Sequence, residues 1–266
     1  MRVIVSSRNS ITSNLEKFFM KPILERILGF CKFSIKDTKE LKNQILNMRD
    51  KFDPSTHCYF SLDVKSMYES VNTTEAINFI VSKIYVSPEH YFQSDKFPPK
   101  SLFISLLRVC INDFTSFSSL IGNFKQNNGC AMGGIISPII ANIYCSLQEN
   151  DIVSKMIKSN EILLYRRYVD DCLVLSTKDA KFKLFSKLNS KSKLVYKIEH
   201  SNRTRLPFLD TCLFYDKQNK KLEMKHYTKP QKSKVCTNFE HSLCPKGHKT
   251  NVIISSVNRI INSTTN

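Results

Sequence analysis

Apolar positions along the chain follow two different periods. In residues 12–29, Leu15, Phe18, Phe19, Ile23, Ile27 and Leu28 keep helical spacing, Ser13 and Glu16 stand as a capping box, and Pro22 predicts a kink. Ala76, Ile77, Ile80, Val81 and Ile84 repeat that period behind Asn72, an N-cap residue followed by Glu75 at the third helical position. Further helices are predicted from Leu102 to about Phe114, from about Ala180 to Leu188, and around Val252 to Ile261. The polar, lysine-rich residues 32–56 predict a short helix and then a loop ending at Asp53-Pro54. HCYFSLDV at 57–64 is a short apolar run bounded by that turn and predicts a buried strand. A second strand is predicted near Leu194 to Glu199, and FLDTCLFYD and KLEMKHYTK flank a turn at Lys217 to Lys220 as a hairpin. Residues 162–175, ILLYRRYVDDCLVL, are two runs rich in Ile, Leu and Val around Asp170 and Asp171, a hairpin whose turn presents acids.

Composition narrows the class. With 266 residues and 41% hydrophobic content the chain can bury a sizeable core. The start, MRVIVSSRNSITSN, turns polar too soon for a signal peptide, and no apolar run approaches a membrane span, so an intracellular protein is expected, with no membrane role. Nine scattered cysteines (Cys31, Cys58, Cys110, Cys130, Cys145, Cys172, Cys212, Cys236 and Cys244) read as reduced thiols used as small core residues. The Asn-x-Ser/Thr triplets at Asn72, Asn202 and Asn262 are then chance matches. Net charge is +17, and from Lys178 to Asn266 there are 19 basic and 6 acidic residues, which places +13 of the total in that third. Such an excess suits a groove that follows a phosphate backbone, because each neutralised phosphate releases counterions. A basic membrane-surface helix is the rival, but these lysines lie along several predicted elements.

The candidate chemistry is acidic. Two carboxylates about 4 Å apart repel by roughly 1 kcal/mol in water and about 4 kcal/mol at a partly buried site, unless a cation lies between them. Taken alone, Asp170-Asp171 is better read as the ordinary chemistry of a solvated turn. Asp63, at the end of the 57–64 strand, supplies the pattern of adjacent strands presenting carboxylates to shared divalent metals. Two Mg²⁺ ions about 3.5 to 4 Å apart activate a 3′-hydroxyl and stabilise a leaving pyrophosphate. In QNNGCAMGGIISPIIANIYCSLQE, residues 126–149, Gly129, Gly133 and Gly134 let a ligand approach the backbone, and Ser137-Pro138 opens a helix. Tyr68, five residues after Asp63, is placed to pack on a nucleotide sugar, or is an ordinary half-buried turn tyrosine.

LDVKSMYESV, GCAMGGIISPIIANIY and RYVDDCLVL stand in the order, spacing and predicted secondary structure of the A, B and C motifs of reverse transcriptases. Within that family the chain most resembles the Penelope-like retroelement group, through RVIVSSRNSITSNLEKFF, LPFLD at 206–210 and the YTKP, FEHSLCPKGHK and SSVNR segments, so the resemblance covers nearly all 266 residues. It implies an α+β right-hand polymerase palm, an antiparallel sheet with packed helices, plus partial fingers and the start of a thumb. Residues 1–56 would be the remaining fingers. Residues 57–228 would be the palm, with a helical fingers insertion at about 75–128 and a primer-grip hairpin at 206–228, and residues 229–266 would begin the thumb.

The implied activity is an RNA-directed DNA polymerase that extends a DNA primer on an RNA template from deoxynucleoside triphosphates. Its cofactor would be two Mg²⁺ ions, with Mn²⁺ as a substitute, and a working retroelement enzyme would be nuclear. Asp63 and Asp170 would hold metal with Asp171 beside them, and the Val64 backbone would face the metal site. Tyr68 would be the steric gate against a ribose 2′-hydroxyl. Gln126, Gly129, Ser137, Pro138 and Asn142 would shape the nucleotide and template side, and Arg2 would reach the triphosphate. Lys197 stands where the family places a lysine that protonates pyrophosphate, a place a solvated strand lysine fits equally. Phe208, Leu209 and Asp210 would form the primer grip, and Lys229, Lys246 and Lys249 would meet nucleic acid.

The chain departs from the family at Met132-Gly133-Gly134-Ile135-Ile136-Ser137-Pro138, where the first Ser-Pro pair of the common Met-Gly-Ser-Pro-Leu-Ser-Pro is missing. The fingers begin late, the thumb stops early and no GIY-YIG endonuclease follows, so a truncated or decayed element copy is a second expectation. Its function would be that of a catalytically inactive nucleic-acid-binding remnant. A maturase-like splicing cofactor would need a further RNA-binding domain. Cys236, His241, Cys244 and His248 have spacings that match no zinc pattern, and a basic thumb-side segment accounts for them better.

Overall fold

The amino-terminal helical segment is not one kinked helix. In the computed structural model, which describes residues 9–92, 97–113, 116–119, 122–200, 204–229 and 240–265, a π-helical stretch Leu15–Met20 runs directly into α1, Lys21–Glu25. Pro22, which has no N–H to give, stands at the start of α1, where the ladder changes from π to α register. α2, Thr38–Met48, begins where the Asp37 carboxylate accepts the Glu40 N–H. β1, His57–Val64, covers the predicted strand, and its entry turn is held by Asp53 accepting from the Ser55 N–H and hydroxyl. A single helical turn, α3 (Met67–Ser70), leads to α4, Thr73–Ile84, where the Asn72 side chain accepts the Glu75 N–H as the spacing predicts.

α5, Lys100–Arg108, continues as a π-helical stretch to Asp113. A hairpin that no periodicity announces follows, β2 (Ser116–Ser119) with β3 (Gly122–Lys125). α6, Ser137–Lys158, leads into the predicted hairpin, β4 (Ile162–Tyr168) and β5 (Asp171–Thr177). Then come α7 (Ala180–Lys191), β6 (Tyr196–His200), β7 (Arg205–Phe208), β8 (Thr211–Asp216), β9 (Lys221–His226) and α8, Lys246–Ser263. α8 is longer than its apolar stretch predicts. Among the described residues no helix is long and apolar enough to cross a membrane.

The chain divides into two compact units. One comprises Met1–Ser34, Val64–Lys155 and Leu184–Lys197; the other comprises Ile35–Asp63, Met156–Lys183 and Ile198–Asn266. The first unit is helical around an aromatic cluster in which Phe103 packs edge-on against Phe92 and Tyr85, at 5.9 and 6.0 Å between centroids. Ala76, Ile77, Ile80, Val81 and Ile84, the predicted inner face of α4, are all buried.

The second unit is built on antiparallel strands. In the sheet ordered β4-β5-β1-β6, Tyr59, Ser61 and Asp63 of β1 oppose Leu175, Leu173 and Asp171 of β5. A separate sheet is ordered β7-β8-β9. Leu164, Leu173 and Leu175 form one apolar core with Leu41 and Ile45 of α2 and with Leu206, Phe208, Leu213, Leu222 and Met224 of the three-stranded sheet. Each such side chain contributes about 1.5 to 3 kcal/mol of burial, so this layer fixes the sheet that carries Asp63 and Asp171.

Candidate active site

Asp63 and Asp171 form the last pair in the β1–β5 register. Residues directly opposite in an antiparallel pair share a face, with Cα atoms about 4.5 to 5.5 Å apart. Tyr168 opposes Asp171 from β4, so that face ends in the row Asp63, Asp171, Tyr168. Like charges set opposite each other are unfavourable. The strain appears on Asp171, whose pKa is pushed up to about 6, first by burial and then by the carboxylates of Asp170, Glu199 and Asp63, against a smaller opposing pull from Lys229. Glu199 is a member of this acid group that the motifs did not single out.

Asp170 occupies the turn itself. Tyr168 pairs with Asp171, which leaves Val169 and Asp170 as a two-residue loop. Val169 has φ 57°, and Asp170 is not among the residues with positive φ. Positive φ at the first central position alone is the type II′ pattern, where glycine is the usual occupant, and a β-branched residue there is strained by roughly 1 kcal/mol or more. The turn is braced from within. Arg167, with no exposed surface, donates from Nη1 to the Val169 carbonyl at 3.0 Å, while its own carbonyl accepts the Ile35 N–H at 2.9 Å. Because Arg167 pairs with Cys172, its side chain lies on the face opposite Asp171.

The donor set suits Mg²⁺. That ion is commonly held by one or two carboxylates, with water and substrate phosphates completing its octahedron, and Asp63 with Asp171 offers the carboxylate part. Among the described residues no group of three or more His, Cys, Asp or Glu side chains is disposed to hold an ion alone.

The other predicted substrate residues belong to the first unit, where the glycine-rich loop is tightly held. Gly129 has φ 76°, and a Cβ there would collide with the Tyr68 carbonyl and the Glu69 backbone. The next residue, Cys130, donates its N–H to that Tyr68 carbonyl at 2.8 Å. Tyr68 lies in α3, which starts behind Ser66 in the left-handed region at φ 47°. At the far end of the loop a residue assigned by pattern to a helix cap does something else. Glu16, 2% exposed, accepts the Ile135 N–H at 3.1 Å and the Ile136 N–H at 3.4 Å on one carboxylate oxygen, and the Thr12 hydroxyl at 2.7 Å on the other. Gly134 leaves the space that the Ser137 hydroxyl fills. Ser137 is buried, Pro138 is exposed and Asn142 is half-buried on α6, while Gln126 donates to the Asn128 carbonyl at 2.8 Å.

Val64 is buried at the end of β1, and Lys197 is exposed on β6. Phe208 is in the core of the second unit. Phe208 pairs with Thr211, which makes Leu209 and Asp210 another two-residue loop, with Leu209 at φ 54°. Asp210 forms an exposed ion pair with Arg259 of α8 at 3.3 Å, and its carbonyl accepts the Tyr227 N–H at 2.9 Å. Lys229 and Lys246 are exposed, and Lys249 is half-buried in the first turn of α8. Arg2 and Cys236 lie outside the described residues.

Residues 1–195 match the family described as "Reverse transcriptase (RNA-dependent DNA polymerase)". No curated protein matches the chain by sequence. Among solved structures it is similar to the telomerase from Candida albicans in complex with a fragment of telomeric RNA, with TM-score 0.59 and 14% identity over 80% of this chain and 40% of that one. The telomerase from Candida tropicalis, in complex with the corresponding fragment, gives TM-score 0.58 and 16% identity over 91% and 42%. Apo telomerase from Candida tropicalis truncated from its C-terminal domain gives 0.56 and 17% over 76% and 45%. The chain thus spans less than half the length of these telomerases and shares their α+β palm-type fold.

Proposed function

The chain belongs to the reverse transcriptase (RNA-dependent DNA polymerase) family, and we propose that it is the polymerase of a Penelope-like retroelement, adding deoxynucleotides to a DNA 3′ end along an RNA template. The observation that carries the reading is the pair of Asp63 and Asp171 set opposite each other beside the Asp170 turn, with the Asp171 pKa pushed up to about 6. Carboxylates that repel at the end of a strand pair are an arrangement a divalent cation relieves. When bound there, Mg²⁺, or Mn²⁺ in its place, would lower the charge on the primer 3′-oxygen and on the leaving pyrophosphate.

The chain's own groups would do the rest. Asp63 and Asp170 would hold metal, with Asp171 supporting them and the Val64 backbone beside them. Tyr68, fixed through its carbonyl by the glycine-rich loop, would limit the space at the sugar 2′ position. Gln126, Gly129, Ser137, Pro138 and Asn142 would shape the nucleotide and template side, and Arg2 would meet the triphosphate. Lys197 would give a proton to pyrophosphate as the 3′-oxygen bonds to the α-phosphorus and the bond to the leaving oxygen breaks. Phe208, Leu209 and Asp210 would face the primer end, with Lys229, Lys246 and Lys249 along the phosphate backbone. The division would be fingers at 1–56, palm at 57–228 and the start of the thumb at 229–266.

A second reading, an inactive nucleic-acid-binding remnant, is favoured by one observation: the glycine-rich loop carries Gly134-Ile135 where the first Ser-Pro pair of the common motif stands. Incubating the purified chain with an RNA template, an annealed DNA primer, deoxynucleotides and Mg²⁺ separates the two. Elongation of the primer is expected. Salt-sensitive binding of the template–primer, with no elongation in Mg²⁺ or Mn²⁺, would establish the remnant instead.

A further inference from the structure

The glycine-rich loop is fastened at both ends, and the two fastenings differ. At its start, Gly129 and Cys130 lie on the Tyr68 backbone, with the Cys130 N–H on the Tyr68 carbonyl at 2.8 Å. This attachment uses only backbone, and it needs glycine because any Cβ would collide. At its end, the loop is held by a side chain distant in sequence, the Glu16 carboxylate, which takes the Ile135 and Ile136 N–H groups immediately before α6. The N–H groups leading into a helix are donors without intrahelical partners, and they stand at the positive end of the helix dipole. A carboxylate there is favoured by charge as well as by hydrogen bonding.

Glu16 is itself held. The Thr12 hydroxyl donates to its other oxygen at 2.7 Å, and the Glu16 N–H returns to the Thr12 carbonyl at 2.8 Å. Thr12 is 4% exposed and Glu16 2%. Glu16 falls inside the π-helical stretch Leu15–Met20, a distortion of the helix that is frequent at functional positions. A buried acid with a fixed partner on one oxygen and loop amides on the other is a costly arrangement for a helix that needs only an apolar inner face.

We infer that Glu16 is a positioning residue. Its carboxylate latches the loop of residues 129–136 and the start of α6, and so fixes the surface on which the incoming nucleotide is received. The consequence for nucleotide binding rests on the reverse-transcriptase reading above, whereas the latch does not.

The test compares wild type with Glu16→Ala, Glu16→Gln and Thr12→Val. Glutamine keeps an oxygen that accepts the loop amides, so it should rescue the alanine defect. Thr12→Val frees the carboxylate without removing it and serves if Glu16→Ala does not fold. The first readout is amide hydrogen exchange of the peptide covering residues 129–137, without substrate. About tenfold faster exchange is expected there in Glu16→Ala, less in Thr12→Val and least in Glu16→Gln, with α4 and the β1–β5 pair unchanged. The second readout is primer extension, where KM for the deoxynucleotide should rise by about tenfold while kcat moves less than about threefold. Unchanged exchange at 129–137 in the folded variants, or a uniform rise across the whole chain, would overturn the latch. If wild type exchanges as described but extends no primer, the polymerase reading fails and the latch stands.

Discussion

The β4–β5 and β7–β8 turns are built alike and placed in opposite circumstances. Each is a two-residue loop with a large apolar residue at positive φ followed by aspartate: Val169 at 57° before Asp170, and Leu209 at 54° before Asp210. Asp210 is matched by a cation, Arg259 at 3.3 Å, on an exposed surface. Asp170 instead adds its charge beside Asp171, with Glu199 and Asp63 contributing to the same crowding. The apolar residues differ too. Leu209 packs against the core of the second unit, while Val169 is 38% exposed and its carbonyl is gripped by buried Arg167. One backbone solution thus serves once beside a surface cation and once where carboxylates crowd Asp171 against a smaller pull from Lys229. Crowded carboxylates, and not the Asp-containing turn itself, set the β4–β5 turn apart.

The largest expected separation is in activity. Asp63→Asn should cut primer extension by more than the roughly hundredfold that losing an outer partner of a metal ligand costs, while Arg259→Ala should leave extension within about twofold. Extension rates measured on folded protein check both. Next in size is the brace. Arg167→Met leaves the Val169 carbonyl without its buried donor and should cost about 2 kcal/mol in urea unfolding, against no more than about 0.5 kcal/mol for Arg259→Ala. Equal losses would remove the distinction between the turns.

Backbone strain gives a smaller contrast. Val169→Gly should raise stability by up to about 1 kcal/mol by relieving the positive φ, whereas Leu209→Gly should be neutral or worse because it also gives up core contact. Thermal unfolding of the two variants decides it. The smallest effect depends on pH. The Asp171 pKa is raised in the folded chain from the usual 3.8 to about 6, so its charged form is penalised above that value, and the penalty fades as pH falls toward 4. Without divalent metal, Asp171→Asn should be more stable than wild type at pH 8 by about 1 kcal/mol, allowing for solvent screening, and no different at pH 4.

Much of this was legible in the sequence where the cause is local. The 57–64 strand, the Asn72 cap with its buried α4 face, and the β4–β5 hairpin follow from apolar period and cap chemistry within a few residues. β7 was missed because Pro207 interrupts the run; it stands at the edge of its sheet, where a missing N–H costs little. β2 and β3 are four residues each and show no alternation strong enough to read. Arg167 is a polar residue within an apolar run, and nothing nearby in sequence says that it turns inward. Glu16 was read as a capping-box residue, yet its partners are amides more than a hundred positions away, a separation of 119 for Ile135. The motif letters singled out the acids and the glycine-rich loop. They could not show which groups hold those residues in place, because that is decided by tertiary contact.

The most direct test is primer extension on one RNA template by wild type, Asp170→Asn and Asp151→Asn, the last an exposed aspartate of α6 paired with Lys155, each verified as folded and able to bind the template–primer. Elongation by wild type and by Asp151→Asn, with none by Asp170→Asn, is the predicted result. Equal extension by all three would contradict the assignment of the metal site to the β4–β5 turn.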